Sequence, residues 1–466
     1  MTTEDKSKAQ YNALGEKPVG RLLLQYAFPA IVAMAASSVY NIIDGVFVGQ
    51  GVGPEAIMGL ALCNPVMSLT AAFGAMVGVG GSTLMSVRLG QKDYAEAQDI
   101  LDNVLVMNVV MGAALGALLL AFLDPVLRFF GASDVTIGPA HDFMTVILLA
   151  NIFTHLYFGL NGLLRATNRP KMAMYATFGS VLCNCLLAPL FIFVFHWGIR
   201  GAALATVTSQ LLMICWQLYL FSDKSNIVHL RRGKPHVRWR IVKGSVSIGL
   251  PQFLINLCAC LVAIVITRSL TLYGSQTAIG GDVAVGAYGI QNRLILFVVM
   301  AVIGLNQGMQ PIAGYNYGAQ KYDRLIEVLK KALVFATVFT TVGWAVCIVF
   351  ATPLVTVFAK DSPELIAEAA RGLRINISTF PLVGIQIIST AFFQSIGYAG
   401  KSIFLSLSRQ LLFLLPLLLV LPRLFPNPVD GVWFSLPISD AVAFLVAAVM
   451  LTRQVRKFKA TLTVKQ

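Results

Sequence analysis

The most constraining feature of this sequence is an internal repeat, because residues 22–222 and residues 244–452 look like two copies of one unit. One offset pairs Gly90 with Gly318, Tyr94 with Tyr322, Pro125 with Pro353 and Phe130 with Phe358, and an offset two residues longer pairs Lys171 with Lys401 and Gly201 with Gly431. Each copy contains six apolar stretches. A tandem repeat with an even number of spans keeps both copies in one orientation, with a cleft between them, which is a geometry typical of membrane transporters.

The composition indicates an integral membrane protein. Hydrophobic residues make up 57% of the chain and charged residues 12%, and the mean hydropathy is +0.76. A soluble domain has about twice that charged fraction. We therefore predict an all-α integral membrane protein with twelve transmembrane helices in two pseudo-symmetric six-helix lobes. The predicted spans are 22–48, 56–87, 101–123, 143–164, 172–195, 201–221, 244–272, 283–312, 328–350, 375–395, 402–422 and 431–452, and the fourth and tenth have room to begin earlier.

The distribution of basic residues predicts the domain organisation and the orientation. We expect an N-lobe at 1–222, a cytoplasmic linker at 223–243 and a C-lobe at 244–466. If the N-terminus is cytoplasmic, 27 of the 35 Lys and Arg fall on the inner side and seven on the outer side, so both termini are predicted to be cytoplasmic. The polar N-terminus has no signal-peptide pattern. The net charge of +14 is spread over seven loops, which favours contact with an anionic membrane leaflet over nucleic-acid binding.

Neither the linker nor the cysteines suggest a specialised site. The linker is interpreted as a lobe connector that helps to set the topology, with a regulatory role as the alternative. All seven cysteines lie in apolar spans, and we predict free buried thiols. Since no histidine lies near either Cys-x-Cys pair, we predict no metal site.

The first predicted span carries a polar stripe, formed by Ser37, Tyr40, Asn41 and Asp44 at helical spacing. Asp44 is the one acidic residue predicted to lie deep in the first lobe. Loss of hydration there favours the protonated form of a carboxylate, which is what a proton-coupling group requires. The alternative is a carboxylate that only ties helices together.

The twelfth span contains a second intramembrane acid, Asp440, for which structural and functional roles both stay open. Its neighbours Ser435 and Ser439 are expected to donate hydrogen bonds to it. Arg293 in the eighth span has two possible roles, since it either pairs with Asp440 or faces the cleft.

Other polar side chains in the spans are candidates for the substrate cleft. His155, near Asn151, is either a proton relay or a donor that packs helices together, and a lone histidine among apolar residues is more often the latter. The full set of cleft candidates is Asn151, His155, Gln210, Gln252, Asn256, Arg293 and Asp440.

Several segments together carry a family resemblance. The run from Leu305 to Ala319, LNQGMQPIAGYNYGA, closely resembles the segment that ends the eighth helix in the multidrug and toxic compound extrusion (MATE) family. The segments YNIIDGVFVGQ, RLGQ, LLRATNRPK, GIRGAALATVTSQ, FFQSIGYAGK and GVWFSLPISD agree as well. The resemblance covers nearly the whole chain and is similar to the bacterial branch of that family.

The resemblance implies an antiporter in the bacterial plasma membrane that exports organic cations or amphipathic drugs in exchange for H⁺ or Na⁺. It identifies Asp44 with the family's first-helix carboxylate and Asn184 with its fifth-helix asparagine. The family's second carboxylate is replaced here by Ala188. Because a Na⁺ site needs several oxygen ligands, this departure favours H⁺ as the coupling ion. The cation-coupling candidates are Asp44, Tyr40, Asn41 and Asn184, and we expect no cofactor.

Two rival functions are weighed against export. A membrane-embedded enzyme needs paired carboxylates or a histidine cluster in the spans, which this sequence lacks. A flippase for lipids or lipid-linked oligosaccharides belongs to the same superfamily, but its cleft should be lined with several Arg and Lys side chains. We therefore predict a monomer in the lipid bilayer whose partners are small amphipathic substrates.

Overall fold

The computed structural model describes residues 12–130, 132–231, 233, 236–359 and 362–465. Within them every regular element is a helix, and no strand occurs. The first half contains α1 (Val19–Gly51), α2 (Pro54–Gly90), α3 (Tyr94–Ala121), α4 (Leu123–Phe129), α5 (Ile137–Leu149), α6 (Asn151–Ala166), α7 (Pro170–Pro189) and α8 (Gly198–Ser222). The second half contains α9 (Trp239–Gly274), α10 (Gly281–Gly318), α11 (Tyr322–Val349), α12 (Ala351–Thr356), α13 (Pro363–Asn376), α14 (Phe380–Ser395), α15 (Ala399–Leu407), α16 (Leu415–Leu424) and α17 (Pro428–Lys465).

The predicted number of spans is confirmed. In the described part of the chain, ten helical segments are long and apolar enough to cross a membrane, and two bent helix pairs bring the number to twelve. The pairs are α5 with α6 and α13 with α14, each bent by 55°. The fourth and tenth spans therefore begin earlier than their predicted first residues, at Ile137 and Pro363. Each break carries a residue outside the helical conformation, Ala150 in the first pair and Thr379 in the second.

The backbone repeats the pseudo-symmetry of the sequence at the turns that follow α2 and α10. Lys92 and Gln320, matched at the same offset as Gly90 and Gly318, both adopt positive φ angles of 61° and 55°. Asp93 then caps the start of α3 by accepting a hydrogen bond from the backbone N–H of Glu96. The two halves thus share local conformations that most L-residues avoid.

The halves meet through reciprocal contacts at glycines near the ends of α2 and α10. A Cβ on Gly90 would overlap the carbonyl oxygen of Tyr315, and a Cβ on Gly318 would overlap the carbonyl oxygen of Val87. Val87 matches Tyr315 at the offset that matches the two glycines, so the two contacts are symmetry equivalents. Only glycine permits backbones to approach this closely.

A second pair of glycines joins α2 to α9. A Cβ on Gly80 would overlap the carbonyl oxygen of Ser245, and one on Gly249 would overlap that of Met76. Together with the contacts between α2 and α10, these approaches form a strip along which the two halves touch backbone to backbone. We refer to Gly80, Gly90, Gly249 and Gly318 as the glycine seam.

The buried apolar side chains show where the halves are joined and where they separate. One end of the helix bundle, the linker face, is the end at which residues 223–231 and 236–238 lie. A core there is shared by both halves and includes Leu89, Leu305 and Phe458. Away from it, each half has a core of its own, one around Val48 in the first half and one around Trp433 in the second. The halves therefore share a core at the linker face, whereas towards the opposite face each half has a separate core.

The linker is bound to the start of α3 by charge pairs. Asp99, which is buried, pairs with Arg231 at 2.8 Å and with Arg238 at 2.9 Å. Arg240 pairs with Glu96 at 2.9 Å, although the arginine side chain is largely exposed and this pair adds little stability. The acidic side chains of α3 thus lie at the linker face, where arginines neutralise them.

An ion pair in the second half decides one open alternative and corrects two expectations from the sequence. Arg409 Nε donates to Asp440 Oδ1 at 2.7 Å, so Asp440 is not paired with Arg293, which is exposed on α10. Arg409, one of the 27 basic residues counted on the inner side, instead lies inside the eleventh span, in the π-helical stretch between α15 and α16. The expected serine donors are also absent, since Ser439 donates to the carbonyl oxygen of Arg409 and Ser435 to that of Gly431.

The expectation of seven buried thiols was only partly right. All seven cysteines are free, and Cys63, Cys258 and Cys347 are buried, but Cys215 is exposed on α8. Its exposure follows from the helix surface it occupies, since an apolar side chain facing lipid needs no cover from the protein.

The glycine seam makes a prediction about stability. Gly80→Ala places a methyl group where the Ser245 carbonyl lies, so we expect a loss of about 1–3 kcal/mol, as for other overpacked positions. Gly289→Ala, on an open helix surface with nothing within 4 Å, is the matched control and should be neutral or slightly stabilising. The thermal unfolding midpoints of the purified variants, measured at one scan rate, test this. Equal midpoints for the two variants would contradict it.

The ion pair makes a second prediction. Asp440→Asn leaves the Arg409 guanidinium without its anion, and we expect a destabilisation on the order of 3 kcal/mol. The double variant Arg409→Met/Asp440→Leu removes both charges and should recover most of that loss. The thermal unfolding midpoints of these variants test the prediction. If Asp440→Asn is as stable as the unmodified protein, the pair contributes nothing to stability.

Candidate functional site

Three polar side chains from three helices meet in the first half. Tyr40 of α1 lies with its hydroxyl 3.2 Å from Thr206 Oγ1 on α8, and Asn184 of α7 donates to the same Oγ1 at 3.0 Å. Thr206 in turn donates to the carbonyl oxygen of Ala202 at 3.3 Å. Because that bond uses its proton, Thr206 accepts from both Tyr40 and Asn184. Two of the predicted coupling residues are therefore brought together by a threonine.

Asp44 lies one helical turn beyond Tyr40 and adds a carboxylate to this neutral cluster. Its Oδ1 is buried, and the described part of the chain offers that atom no hydrogen-bond partner. Asp44 and Tyr40 lie on the same helix, α1, which packs against α7. A buried anionic oxygen without a donor is costly, and a bound proton or cation removes that cost. The side chain of Asn41, also predicted to take part, lies outside the described residues.

The position of the family's second carboxylate is apolar in this chain. Ala188 lies one turn beyond Asn184 on α7 and is fully buried. The side-chain oxygens in the hydrogen-bonded cluster come from Tyr40, Thr206 and Asn184, all of them neutral. Within the described residues, no group of three or more His, Cys, Asp or Glu side chains that could hold a metal ion occurs.

A polar cavity of about 240 Å³ adjoins this cluster, bounded by α1, α6, α7 and α8, with Gln307 of α10 closing it from the second half. Tyr40, Asn184 and Thr206 lie along its wall, as do apolar side chains such as Met34. We call this space the polar cavity. It places the coupling candidates beside a space that a ligand can enter.

The other candidates in the first half fall in different places. Gln210 lines the polar cavity and accepts a hydrogen bond from Thr154 at 2.8 Å. Asn151 is buried and donates to the carbonyl oxygen of Gly112 on α3 at 3.0 Å. His155 is fully buried where α2 passes at Gly74. Asn151 and His155 therefore lie in helix packing contacts away from the cavity wall.

The candidates in the second half do not gather into one cluster. Gln252 and Asn256 lie one turn apart on α9, where Asn256 donates to the backbone carbonyl of Gln252 at 2.8 Å. Asp440 is held by Arg409, and Arg293 is exposed. Their roles in substrate binding stay predictions.

One cationic side chain of the cavity was missed from the sequence. Arg165, counted with the loop cations, lies in the last turn of α6 and lines the polar cavity. Its Nη1 donates to Asn161 Oδ1, and Asn161 also lines the cavity. Helical spacing could have identified it, because Arg165 lies four residues after Asn161 and the two side chains share one face of the helix.

Comparison with known proteins agrees with this architecture. The MatE family model matches the chain twice, over residues 29–190 and 251–420. The multidrug export protein MepA of Staphylococcus haemolyticus is 27% identical over 434 residues, covering 93% of each chain. The corresponding protein of Staphylococcus aureus is 26% identical over 438 residues, covering 94% of each.

Solved structures share the fold. An outward-facing multidrug resistance MATE family transporter of the MOP superfamily superimposes with a TM-score of 0.88 at 23% identity, covering 96% of this chain and 98% of the other. A MOP superfamily transporter from Pyrococcus furiosus gives 0.89 at the same identity and coverage. The duplicated match over most of the sequence, carried on a twelve-span helical bundle, means that this chain belongs to the MatE family of membrane transporters and is not an enzyme.

Proposed function

We propose that this protein is a secondary active multidrug efflux antiporter that exports organic cations or other amphipathic compounds in exchange for H⁺. The observation that carries the proposal is the buried Asp44 oxygen without a donor, one turn from the wall of the polar cavity. The MepA relatives, named as multidrug export proteins, support the export function.

The two-half architecture supplies a route for alternating access. We place the linker face and both termini at the cytoplasmic side of a bacterial plasma membrane, following the excess of basic residues there. In that orientation the shared core closes the cytoplasmic end and the gap between the halves faces outward. Export then requires the glycine seam to open so that the cleft can load from inside.

Asp44 is proposed to couple proton binding to the release of the substrate. Protonation removes a charge from a site with no donor, which changes how α1 packs against α7 and α8. α1 contains Pro29, which removes one hydrogen bond of the helical ladder and lets the helix bend there. Proton binding from outside and substrate release are thereby linked through one helix.

The composition of the cavity favours drug export over lipid flipping. A site for a pyrophosphate-linked lipid needs several cationic side chains to neutralise the phosphates. Among the described residues that line the polar cavity, Arg165 is the one with a positive charge.

The coupling role of Asp44 predicts the behaviour of a single variant. Asp44→Asn keeps the size of the side chain but cannot exchange a proton, so export of ethidium from proteoliposomes driven by a pH gradient should fall to the level of protein-free vesicles. Asp282→Asn is the matched control, because Asp282 is exposed in the first turn of α10, and it should export normally. Proton-driven export that survives in Asp44→Asn would remove Asp44 from the coupling step.

The missing second carboxylate predicts the ion. With Ala188 beside Asn184, the site offers one carboxylate and neutral oxygens, and hard cations usually require more charge and more ligands. Export in proteoliposomes should respond to a pH gradient and be nearly indifferent to a Na⁺ gradient, and Ala188→Asp should add sensitivity to Na⁺. Strong stimulation of the unmodified protein by Na⁺ at constant pH would overturn H⁺ coupling.

A further inference from the structure

The inner end of the polar cavity carries a positive charge that the coupling mechanism does not use. Arg165 lies in the last turn of α6, near the linker face, and donates one hydrogen bond, to Asn161 Oδ1. Tyr157, on the same helix, forms another part of the cavity wall. In the part of the chain that the structure describes, no acidic side chain lies within ion-pair distance of Arg165.

The guanidinium of Arg165 has donors that the described part of the chain leaves free. It is always charged and has five N–H donors, of which the described residues accept one. Arg165 is partly exposed, and none of its nitrogens is an enclosed atom without a partner, so the free N–H groups face the polar cavity. By comparison, Arg409 inside the eleventh span is paired with the carboxylate of Asp440. Arg165 instead directs its charge into a space that water or a ligand fills.

The charge is not a requirement of the fold. The turns after α6 and α14 carry the positive-φ residues Asn168 and Gly397, and the offset that pairs these two residues pairs Arg165 with Gln394. Gln394 is buried and neutral, and its Nε2 donates to the carbonyl oxygen of Ile248 at 3.0 Å. An arginine that only stabilised the end of the fourth span would be expected in both halves.

The two ends of the cavity have opposite character. Thr177 lies at the Arg165 end, where it contacts Asn161, and Asn184 lies at the end next to Asp44. These two residues are seven apart on α7, so the ends are separated by about 10 Å along the helix. The wall between them includes the apolar side chains of Met34 and Val181. This pattern complements an amphiphile with an acidic group at one end and a basic group at the other.

We propose that Arg165 determines specificity by binding the acidic group of a substrate, so that the polar cavity accepts carboxylate-bearing amphiphiles, zwitterions included, as well as cations. The proposal rests on the export function proposed above. The planar fork of arginine matches the two oxygens of a carboxylate. A volume of about 240 Å³ is below the usual size of a site for a whole drug, so the cavity holds the acidic end of a ligand while the rest lies in the cleft.

A pair of dyes that differ in one group provides the test. Rhodamine 110 carries a free carboxylate, and rhodamine 123 is its methyl ester with the same ring system. The Kd of each dye for the purified protein is measured by fluorescence anisotropy without an ion gradient. Arg165→Gln should weaken binding of the acid about tenfold or more, the size expected for a hydrogen bond to a charged group, and binding of the ester less than twofold.

Two further variants make the result specific. Arg169→Gln removes a neighbouring arginine whose Nη1 donates to the carbonyl oxygen of Leu220 outside the polar cavity, and it should change neither Kd. Arg165→Lys keeps the charge but loses the fork, so its preference for the acid over the ester should fall severalfold and stay above that of Arg165→Gln. This variant also serves if Arg165→Gln does not fold.

The outcomes separate the proposals. If Arg165→Gln weakens the binding of both dyes equally, or changes neither Kd, Arg165 does not determine specificity. An unchanged preference of Arg165→Lys for the acid over the ester would lead to the same conclusion. Because binding is measured without a gradient, a failure of H⁺ coupling at Asp44 leaves this test intact. Binding of neither dye by the unmodified protein would contradict the present proposal, while export of other cations would still support the proposed function.

Discussion

Backbone contact between the two halves is the constraint on which the rest of the structure depends. Gly80 and Gly90 in α2, with Gly249 and Gly318 in the second half, allow carbonyl groups to sit where side chains would otherwise be. In a membrane, where lipid competes for apolar surfaces as well as protein does, such close packing is a main source of helix association. It joins the halves at the linker face and leaves each with its own core towards the opposite face.

The charged side chains inside the protein are of two kinds. Some are paired with an opposite charge and stabilise the structure, and others have free donors or acceptors and are candidates for binding. Arg409 and Asp440 neutralise each other inside the second half, and Asp99 is neutralised by linker arginines at the linker face. Among the described residues, Asp44 has a buried oxygen without a donor, and Arg165 has one acceptor, Asn161. Both lie at or beside the polar cavity, where a proton, an ion or a ligand can supply a partner.

The predictability of the candidate site depended on how far apart its parts lie in the sequence. The stripe of Tyr40 and Asp44 follows from helical spacing within one span, so it was found directly. The meeting of Tyr40, Thr206 and Asn184 depends on the packing of three helices, so spacing within one helix does not predict it. Arg165 is one of the 27 basic residues counted on the inner side, whereas its side chain bonds to Asn161 one turn back along α6 and lines the cavity.

The sequence by itself determined the number of spans, the duplication and the family, because hydrophobic length, repeat offset and motif all act over short stretches of chain. Tertiary structure decided which polar groups meet. Asp440 pairs with Arg409 and not with Arg293, since the π-helical stretch in the eleventh span turns Arg409 towards α17 while Arg293 faces outward on α10. His155 packs against α2 at Gly74, and Asn151 donates to the backbone of α3, so both are packing residues. Such choices depend on rotation and approach of whole helices, which hydrophobic periodicity does not encode.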